Sequence, residues 1–270
     1  MTIPEHSSSE GSGGDRRPPK NRLYGIYAHA VFWGTALLVW VAALILPTVD
    51  LRWRLMRRAI GVMARITGIR VCVRGLQHLP PPDQRCILIA NHASYLDTPL
   101  LILALPYRFS FVAKAELRTN PAVHLFLRRI GTEFIERRNA RNAARDLRAL
   151  TELSRRGRSL FFFPEGTIRR EPGLLPFRMG AFNTAADQGI AVVPIAIDGS
   201  RAILKDGERW PRPGEVLITV ERALRPGEFS GGTRDKRQTA QALRDAAHAS
   251  IRRTLRVAPC PAGDTDPAAR

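Results

Sequence analysis

A histidine and an aspartate five residues apart follow a short apolar segment of the chain. His92 comes directly after residues 86–90, and Asp97 lies five residues further on. Five residues turn through about 500° on a regular helix, so the two side chains meet only if His92 lies in a turn before a helix that begins near Asp97. A carboxylate placed there orients a neutral imidazole, which can then take a proton from a hydroxyl group. The pair is therefore a candidate general base.

The same residues also permit a structural role. Ser94 and Asp97 have the spacing of a capping box, in which Ser94 caps a helix and the side chain of Asp97 bonds back to the cap. The spacing by itself leaves both the catalytic and the structural interpretation open.

Two further blocks combine turn-forming and basic residues. Residues 161–170 read FFFPEGTIRR, so a buried aromatic strand is expected to end in a sharp turn. Gly166 would let a backbone N–H approach a ligand closely, and Arg169 is suited to hold an anion. The other block contains Lys114 and Arg137, and an arginine at a strand end is a natural phosphate ligand. Each block alone is also compatible with an ordinary turn or a solvated charged face.

The elements that must position these residues follow from the hydropathy pattern. Between residues 71 and 256, short β-branched or aromatic runs alternate with helical stretches. This alternation predicts an α/β domain with a mixed central sheet flanked by helices. The predicted strands are residues 71–73, 86–90, 109–112, 133–135, 160–163, 191–197 and 216–220. The predicted helices are residues 98–104, 121–129, 140–156, 177–188 and 236–256.

The two ends of the chain have a different composition. Residues 1–22 are rich in Ser, Gly, Pro and charge and are predicted to be a disordered tail, and residues 257–270 (VAPCPAGDTDPAAR) are predicted to be a flexible tail. Residues 28–46 contain only two clearly polar side chains. As a helix they would be about 28 Å long, close to the ~30 Å thickness of a bilayer's hydrocarbon core. We predict that residues 23–70 anchor the protein to a membrane, with a buried core helix as the alternative.

Residues 51–70, in the same segment, predict a basic amphipathic helix. Two apolar stripes recur there at helical spacing, and six arginines occur without an acid. Such a helix suits a lipid headgroup layer, although it would also pack on the protein's own core. On the membrane interpretation, four arginines contact headgroups, and replacing them with glutamine weakens binding to anionic bilayers while sparing the fold. These four are Arg52, Arg54, Arg57 and Arg58.

Charge and cysteine content narrow the class of partner. The 270-residue chain has 42 basic and 24 acidic side chains, a net charge of +18, which implies a polyanionic partner such as nucleic acid or an anionic membrane. Residues 51–70 and 128–158 each carry an excess of six positive charges, beside the apolar segment and around Arg137. This placement favours a bilayer and a phosphate-bearing lipid. Three scattered cysteines fit a reduced, cytosol-facing protein without a zinc site or a disulfide framework.

Four blocks in order resemble the lysophosphatidic acid acyltransferase family of glycerolipid acyltransferases. The matching segments are residues 91–97 (NHASYLD), 114–137, 163–167 (FPEGT) and 193–195 (VPI). The resemblance covers about residues 71–222. Where the family often has Asp-Arg, this chain has Glu136 and Arg137, and Arg178 replaces a frequent lysine.

The resemblance implies a reaction and a set of site residues. His92 and Asp97 would be catalytic, and an acyl group would move from acyl-CoA or acyl carrier protein to a lysolipid hydroxyl without an acyl-enzyme, a metal or a cofactor. Lys114 would be a candidate oxyanion donor, Arg137 would bind the acceptor phosphate, and Glu165 would orient a basic partner. The full implied substrate-binding set is Lys114, Arg137, Glu165, Gly166, Thr167 and Arg169.

The sequence thus predicts a membrane-bound acyltransferase that converts 1-acylglycerol-3-phosphate to phosphatidic acid at the cell membrane, with its active site facing the cytoplasm. The expected partners are anionic membrane lipids, a lysophospholipid acceptor, and acyl-CoA or acyl carrier protein. Another lysolipid acceptor, such as a lyso-ornithine lipid, stays open.

Other classes fit less well. A basic lipid- or nucleic-acid-binding protein without enzymatic activity is the rival, but no groove-reading or base-stacking motif occurs, so nucleic acid is not expected as a partner. The chain has no G-x-S-x-G motif of a serine hydrolase and no H-E-x-x-H motif of a zinc enzyme.

Overall fold

The computed structural model describes most of the chain between residues 21 and 256. The described ranges are 21–135, 151–152, 158–168, 173–230 and 235–256. The predicted tails, apart from residues 21–22, and nearly all of the helix predicted over 140–156 lie outside these ranges.

A seven-stranded sheet forms the centre of the protein. Its strands are β1 (Ile69–Arg74), β2 (Ile87–Ala90), β3 (Ser110–Lys114), β4 (Glu133–Ile135), β5 (Leu160–Phe162), β6 (Val192–Asp198) and β7 (Gly214–Val220). The spatial order is β1-β7-β6-β2-β5-β3-β4. The five strands from β6 to β4 run parallel, β7 is antiparallel to β6, and β1 is parallel to β7. All seven predicted strands are present, which confirms the mixed α/β class.

Seven helices surround the sheet within the described residues. They are α1 (Arg22–Ile45), α2 (Val49–Ile66), α3 (Asp97–Ala104), α4 (Pro121–Arg129), α5 (Gly180–Gln188), α6 (Ser200–Ile203) and α7 (Lys236–Thr254). Four of them begin at a polar side chain that accepts hydrogen bonds from the first free backbone N–H groups. These caps are Asn21, Thr48, Asn120 and Asp235.

The two faces of the sheet are covered by different helices. Leu88 of β2 and Phe161 of β5 face a core shared with α1, α2 and α3, whereas Ile87 and Ile89 face a core shared with α5 and α7. Side chains alternate in this way because successive strand residues point to opposite faces. All four residues of β2 are fully buried, so the strand that leads to His92 is held on both faces.

Helix α2 packs on the domain with one of its two apolar stripes. The inner stripe consists of Trp53, Met56, Ile60 and Met63, which are buried in the core. The outer stripe includes Val62 and Ile66, which are about half exposed. Packing on the protein's own core, the alternative drawn from the sequence, therefore holds for the inner stripe.

Two α2 arginines face the protein interior, which corrects the sequence prediction. Arg52 is 5% exposed and donates to carbonyl oxygens of the α1–α2 loop and of Arg129 at 2.6–3.1 Å. Arg57 donates to three carbonyl oxygens at the end of α3 at 2.7–3.2 Å. Both satisfy carbonyls that have no partner within a helix. The expectation that their loss spares the fold is wrong for these two, while Arg54 and Arg58 are exposed.

Helix α1 is tied to the domain near both of its ends. Near its start, the Tyr24 hydroxyl donates to the carbonyl of Thr67 at 2.6 Å. Near its end, Arg129 donates to the carbonyls of Ala43 and Leu44 at 2.8 and 2.6 Å. Among the described helices, only α1 is long and apolar enough to cross a membrane, judged by length and composition. Its exposed large apolar side chains are Leu23, Ile26, Tyr27, Trp33, Leu37, Leu38, Val41 and Ile45.

Candidate active site

The sequence blocks meet at the carboxyl ends of the parallel strands. Strand β2 leads to His92, its neighbour β5 leads to Glu165, and its other neighbour β6 leads to Ser200. Lys114 ends β3 on the same edge. The carboxyl edge of a parallel sheet is the usual place for a ligand site, because the loops after neighbouring strands converge there. His92 lies at the middle of this edge.

His92 and Asp97 form the hydrogen-bonded pair that the sequence predicted. Nδ1 of His92 lies 2.9 Å from Oδ2 of Asp97, and the carboxylate is fully buried. The same oxygen accepts from the backbone N–H groups of Ala93 and Ser94 at 2.8 and 2.9 Å. The bond to Ser94 is the one that a capping box would make. One carboxylate thus makes the bond to His92 that the catalytic interpretation requires and backbone bonds that hold the turn.

Helix α3 begins later than a Ser94 cap would require. Its first residue is Asp97, and Leu96 occupies the cap position without a side-chain bond. The Ser94 hydroxyl instead donates to the carbonyl of Leu204 at 2.8 Å and accepts from the N–H of Leu96 at 3.2 Å. The prediction of Ser94 as the helix cap is wrong, because α3 begins two residues later than a cap at Ser94 requires. The hydroxyl holds the turn before α3 against the carbonyl of Leu204.

The bond to Asp97 fixes how the imidazole of His92 can act. When Nδ1–H donates to the carboxylate, the lone pair of the neutral ring lies on Nε2. The ring stacks on Phe163, with centroids 4.0 Å apart and an interplanar angle of 16°. The carboxylate and the aromatic face together hold the ring in one orientation. Nε2 is thus the atom that can take a proton.

The backbone around His92 is held by two buried polar side chains. Asn91 donates to the carbonyl of Ile197 and accepts from its N–H, both at 2.8 Å. Glu165 accepts from the N–H of His92 at 2.8 Å and from the N–H of Leu175 at 2.9 Å. Burial raises the pKa of Glu165, and the two backbone donors partly oppose this rise.

Sequence reasoning gave no role to two of these side chains. Asn91 and Phe163 both lie inside recognised blocks, but neither was assigned a function. A polar residue directly after the buried residues 86–90 was the available signal for Asn91. The described contacts of Glu165 with backbone N–H groups also differ from the expected contact with a basic side chain.

An apolar cavity of about 580 Å³ opens on one side of His92. Its walls come from α1, α2, α3, β3 and α4. Side chains that line it include Ala36, Met56, Ile60, Met63, Ile102 and Phe126. Three of the predicted site residues, Lys114, Gly166 and Thr167, line the same cavity. The structure therefore places these three residues beside the histidine.

A second pocket, of about 590 Å³, also opens at His92; it is called the polar pocket here because most of its lining residues are charged or hydrogen-bonding, beside the apolar Leu174, Ile197 and Leu255. Its polar lining includes Asn91, Glu165, Asp198, Ser200, Arg201, His248, Arg252 and Arg256. Of the described residues that line these two spaces, His92 alone is common to both. The imidazole thus stands at the junction between an apolar and a polar compartment.

Two predicted ligands, Arg137 and Arg169, lie outside the described residues. The structure therefore carries no geometry for the acceptor-phosphate contacts that the resemblance implies. Within the described ranges, no group of three or more His, Cys, Asp or Glu side chains is arranged to hold a metal ion.

Comparisons with known proteins agree with this architecture. The family model described as Acyltransferase matches residues 70–198. The crystal structure of the 1-acyl-sn-glycerophosphate acyltransferase PlsC from Thermotoga maritima superposes with a TM-score of 0.63 at 23% identity, covering 88% of this chain and 98% of that one. This structural likeness establishes the fold. The chain thus has an α/β acyltransferase fold, and the acyltransferase family model matches its residues 70–198.

The curated proteins that resemble this chain carry a more specific name than the family model. A chloroplastic 1-acyl-sn-glycerol-3-phosphate acyltransferase of Brassica napus is 33% identical over 153 residues, covering 56% of this chain and 44% of the relative. The enzyme of the same name from Neisseria gonorrhoeae is 35% identical over 145 residues, covering 54% and 55%. The human alpha form is 29% identical over 190 residues, covering 68% and 67%. The chain spans about half the length of the first two relatives.

The family model and the names of the curated relatives confirm the resemblance to the lysophosphatidic acid acyltransferase family that the sequence blocks indicated.

Proposed function

We propose that this protein transfers a fatty acyl group from an acyl thioester to the free hydroxyl of 1-acylglycerol-3-phosphate, which yields phosphatidic acid. The observation that carries the proposal is the His92–Asp97 pair at the junction of an apolar and a polar compartment. A reaction between an acyl chain and a polar headgroup needs its base at such a junction. The names of the curated relatives support the choice of acceptor.

The proposed mechanism uses His92 as base and then as acid. Nε2 takes the proton of the acceptor hydroxyl as its oxygen attacks the thioester carbonyl carbon. The tetrahedral intermediate collapses, the carbon–sulfur bond breaks, and the departing thiolate takes the proton from the imidazolium. The negative charge of Asp97 stabilises the imidazolium between these two steps. The acceptor hydroxyl is itself the nucleophile, so we propose that neither a metal nor an organic cofactor takes part.

We assign the apolar cavity to the fatty acyl chain of the donor. Its walls are dominated by aliphatic and aromatic side chains, and burying methylene groups there is favourable by about 0.8 kcal/mol each. His92 at its mouth places the carbonyl carbon next to the base. Lys114 and Thr167 line this space, and we propose Lys114 and the N–H of Thr167 as candidate donors to the developing oxyanion, since the N–H of Gly166 donates to the carbonyl of Phe163.

We propose that the enzyme sits on one leaflet of the cell membrane, with its active site facing the cytoplasm. Helix α1 contacts the domain near both ends, so it cannot cross a bilayer and keep both contacts. The exposed apolar side of α1 and the outer stripe of α2 are available to lipid instead. Anionic headgroups would complement the positive charge of the chain.

Purified full-length protein in mixed micelles tests the proposal. The donors are acyl-CoA and acyl carrier protein, and the acceptors are a panel of lysolipids that includes lysophosphatidic acid and a lyso-ornithine lipid. We expect thioester-dependent acylation of lysophosphatidic acid, and we expect His92→Ala to lower kcat by about 10²–10⁴-fold. The control is His124→Ala, since His124 lies on α4 and does not line either compartment at His92. Full activity of the His92 variant would contradict the catalytic assignment, and preference for another lysolipid would change the acceptor.

A further inference from the structure

The polar pocket beside His92 is built mainly by residues that none of the sequence blocks includes. Ser200 and Arg201 belong to α6, and Arg252 lies on α7. The match to the acyltransferase family model ends at residue 198. The pocket therefore combines residues inside the family match with residues beyond it, and it opens on the same histidine as the apolar cavity.

Its inner part is polar and buried, whereas its outer part is cationic and exposed. The Ser200 side chain is 1% exposed, and its hydroxyl has no hydrogen-bond partner among the described residues. Glu165 and Asp198 also face this inner part, but both carboxylates accept from backbone N–H groups. Arg252 and Arg256 line the outer part and are exposed to solvent.

The change from a buried hydroxyl to exposed arginines along the pocket matches the carrier half of an acyl thioester, which begins at the sulfur. The donor's acyl chain leaves the carbonyl carbon on one side and its sulfur leaves on the other. With the chain in the apolar cavity, the sulfur and its pantetheine arm must extend away from that cavity past His92. The pantetheine arm itself is uncharged and carries amide groups. In both carriers, coenzyme A and acyl carrier protein, the end of the arm far from the sulfur is joined to a phosphate. The amides suit the buried hydroxyl of Ser200, and the phosphate suits the outer arginines.

The order of the strands separates the two spaces at His92. The polar pocket lies beside β6, the neighbour of β2 on one side, whereas the apolar cavity is walled in part by β3, on the other side of β2. The two halves of an extended donor would therefore lie on either side of His92.

We propose that the polar pocket is the binding site for the phosphorylated pantetheine arm of the acyl donor, with Arg252 and Arg256 holding the phosphate and Ser200 holding an amide of the arm. This inference rests on the proposed acyl transfer for its physiological meaning. Binding of the carrier is measurable without turnover, so the two proposals can fail separately. Coenzyme A and holo acyl carrier protein share this chemistry.

Calorimetric titration of the full-length protein with each carrier tests the site. We expect the double variant Arg252→Gln/Arg256→Gln to weaken binding of the preferred carrier about tenfold or more, because charge-assisted bonds to phosphate are lost. The matched control is Arg253→Gln, a neighbouring exposed arginine of α7 that does not line the pocket. The affinity of this control variant for the carrier should stay within twofold of that of the native protein.

A second variant separates the inner from the outer part. Ser200→Ala should weaken coenzyme A or the carrier protein severalfold but leave adenosine 3′,5′-bisphosphate, which lacks the pantetheine arm, unchanged. In turnover assays the arginine variant should raise KM for the acyl donor and leave KM for lysophosphatidic acid and kcat nearly constant.

Three results would overturn the assignment. They are the absence of binding of either carrier to the native protein, equal carrier affinity in the native and arginine variants, and a rise in KM for the acceptor instead of the donor. The last result would give the pocket to the acceptor phosphate. Arginine-dependent carrier binding in a protein without acyl transfer would instead retain the pocket and refute the proposed reaction.

Discussion

The two compartments that meet at His92 differ in their walls and in their place in the chain. The apolar cavity is walled by α1 and α2, which precede the family match, together with α3, β3 and α4 within it. The polar pocket takes α6 and α7 from beyond that match. The His92–Asp97 pair lies between them, inside the matched region. The matched region thus contains the proposed base, while flanking segments form much of the surface around it.

The largest expected effect is at the junction itself, and it separates the two roles of Asp97. In Asp97→Asn, the amide oxygen can still accept from the N–H groups of Ala93 and Ser94, so the turn should stay folded. The negative charge that stabilises the imidazolium is lost. We expect kcat to fall by about 10²–10³-fold with KM little changed, measured by steady-state acylation.

Thermal unfolding of the same variant provides the control. A melting temperature close to that of the native protein would show that the loss is chemical. A variant that unfolds early and yet retains native kcat at low temperature would mean that Asp97 acts only as a cap.

The next effect concerns the wall of the apolar cavity. Arg52 joins α2 to the end of α1 and to the carbonyl of Arg129. Arg52→Ala leaves these buried carbonyls without their donors, which should lower the free energy of unfolding by about 2–4 kcal/mol. Denaturant unfolding in detergent measures this change. Arg54→Ala, an exposed arginine on the same helix, should change it by less than about 0.5 kcal/mol.

Equal stability of these two alanine variants would restore the view that the α2 arginines serve a membrane surface. It would also mean that the hydrogen bonds of Arg52 contribute little to holding α1 against α2.

The smallest expected effect tests the occupant of the apolar cavity. Ala36 lines it from α1, so Ala36→Phe should occupy part of the space and exclude the end of a long acyl chain. We expect kcat/KM for long-chain donors to fall about tenfold relative to short-chain donors. Competition between donors of different length measures this ratio. Leu37→Phe, on the exposed side of α1, should leave it unchanged, and an unchanged ratio in the Ala36 variant would move the acyl chain elsewhere.

Much of the fold could be predicted from the sequence because its signals are local. The seven strands are short apolar runs separated by turn residues, and each appears in the sheet at nearly the predicted position. The turn before α3 was also predictable, since His92 and Asp97 can meet only if His92 lies in a turn and Asp97 lies in the first turn of the helix. The helix cap was not, because residues 95–96 form a turn and the helix begins only at Asp97, with Leu96 at the cap position.

Other features depended on contacts between residues far apart in the chain. An amphipathic pattern shows that a helix buries one side, but it does not say whether lipid or protein covers that side. In the packed structure, Arg52 and Arg57 point inward and donate to carbonyl oxygens of residues far away in the chain. No sequence pattern could identify these carbonyls. The spacing of charges could not distinguish these two from their exposed neighbours.

The sequence by itself determined the seven strands, most of the helices, the pairing of His92 with Asp97 and the family resemblance, because periodicity and residue spacing act over a few turns of chain. The tertiary structure decided which compartments surround the base. Ser200 and Arg252 reach the pocket beside His92 only because β6 pairs with β2 and because α7 covers the sheet face that β2 and β6 share. Such neighbourhoods are set by strand order and helix packing over more than a hundred residues, and no local pattern encodes them.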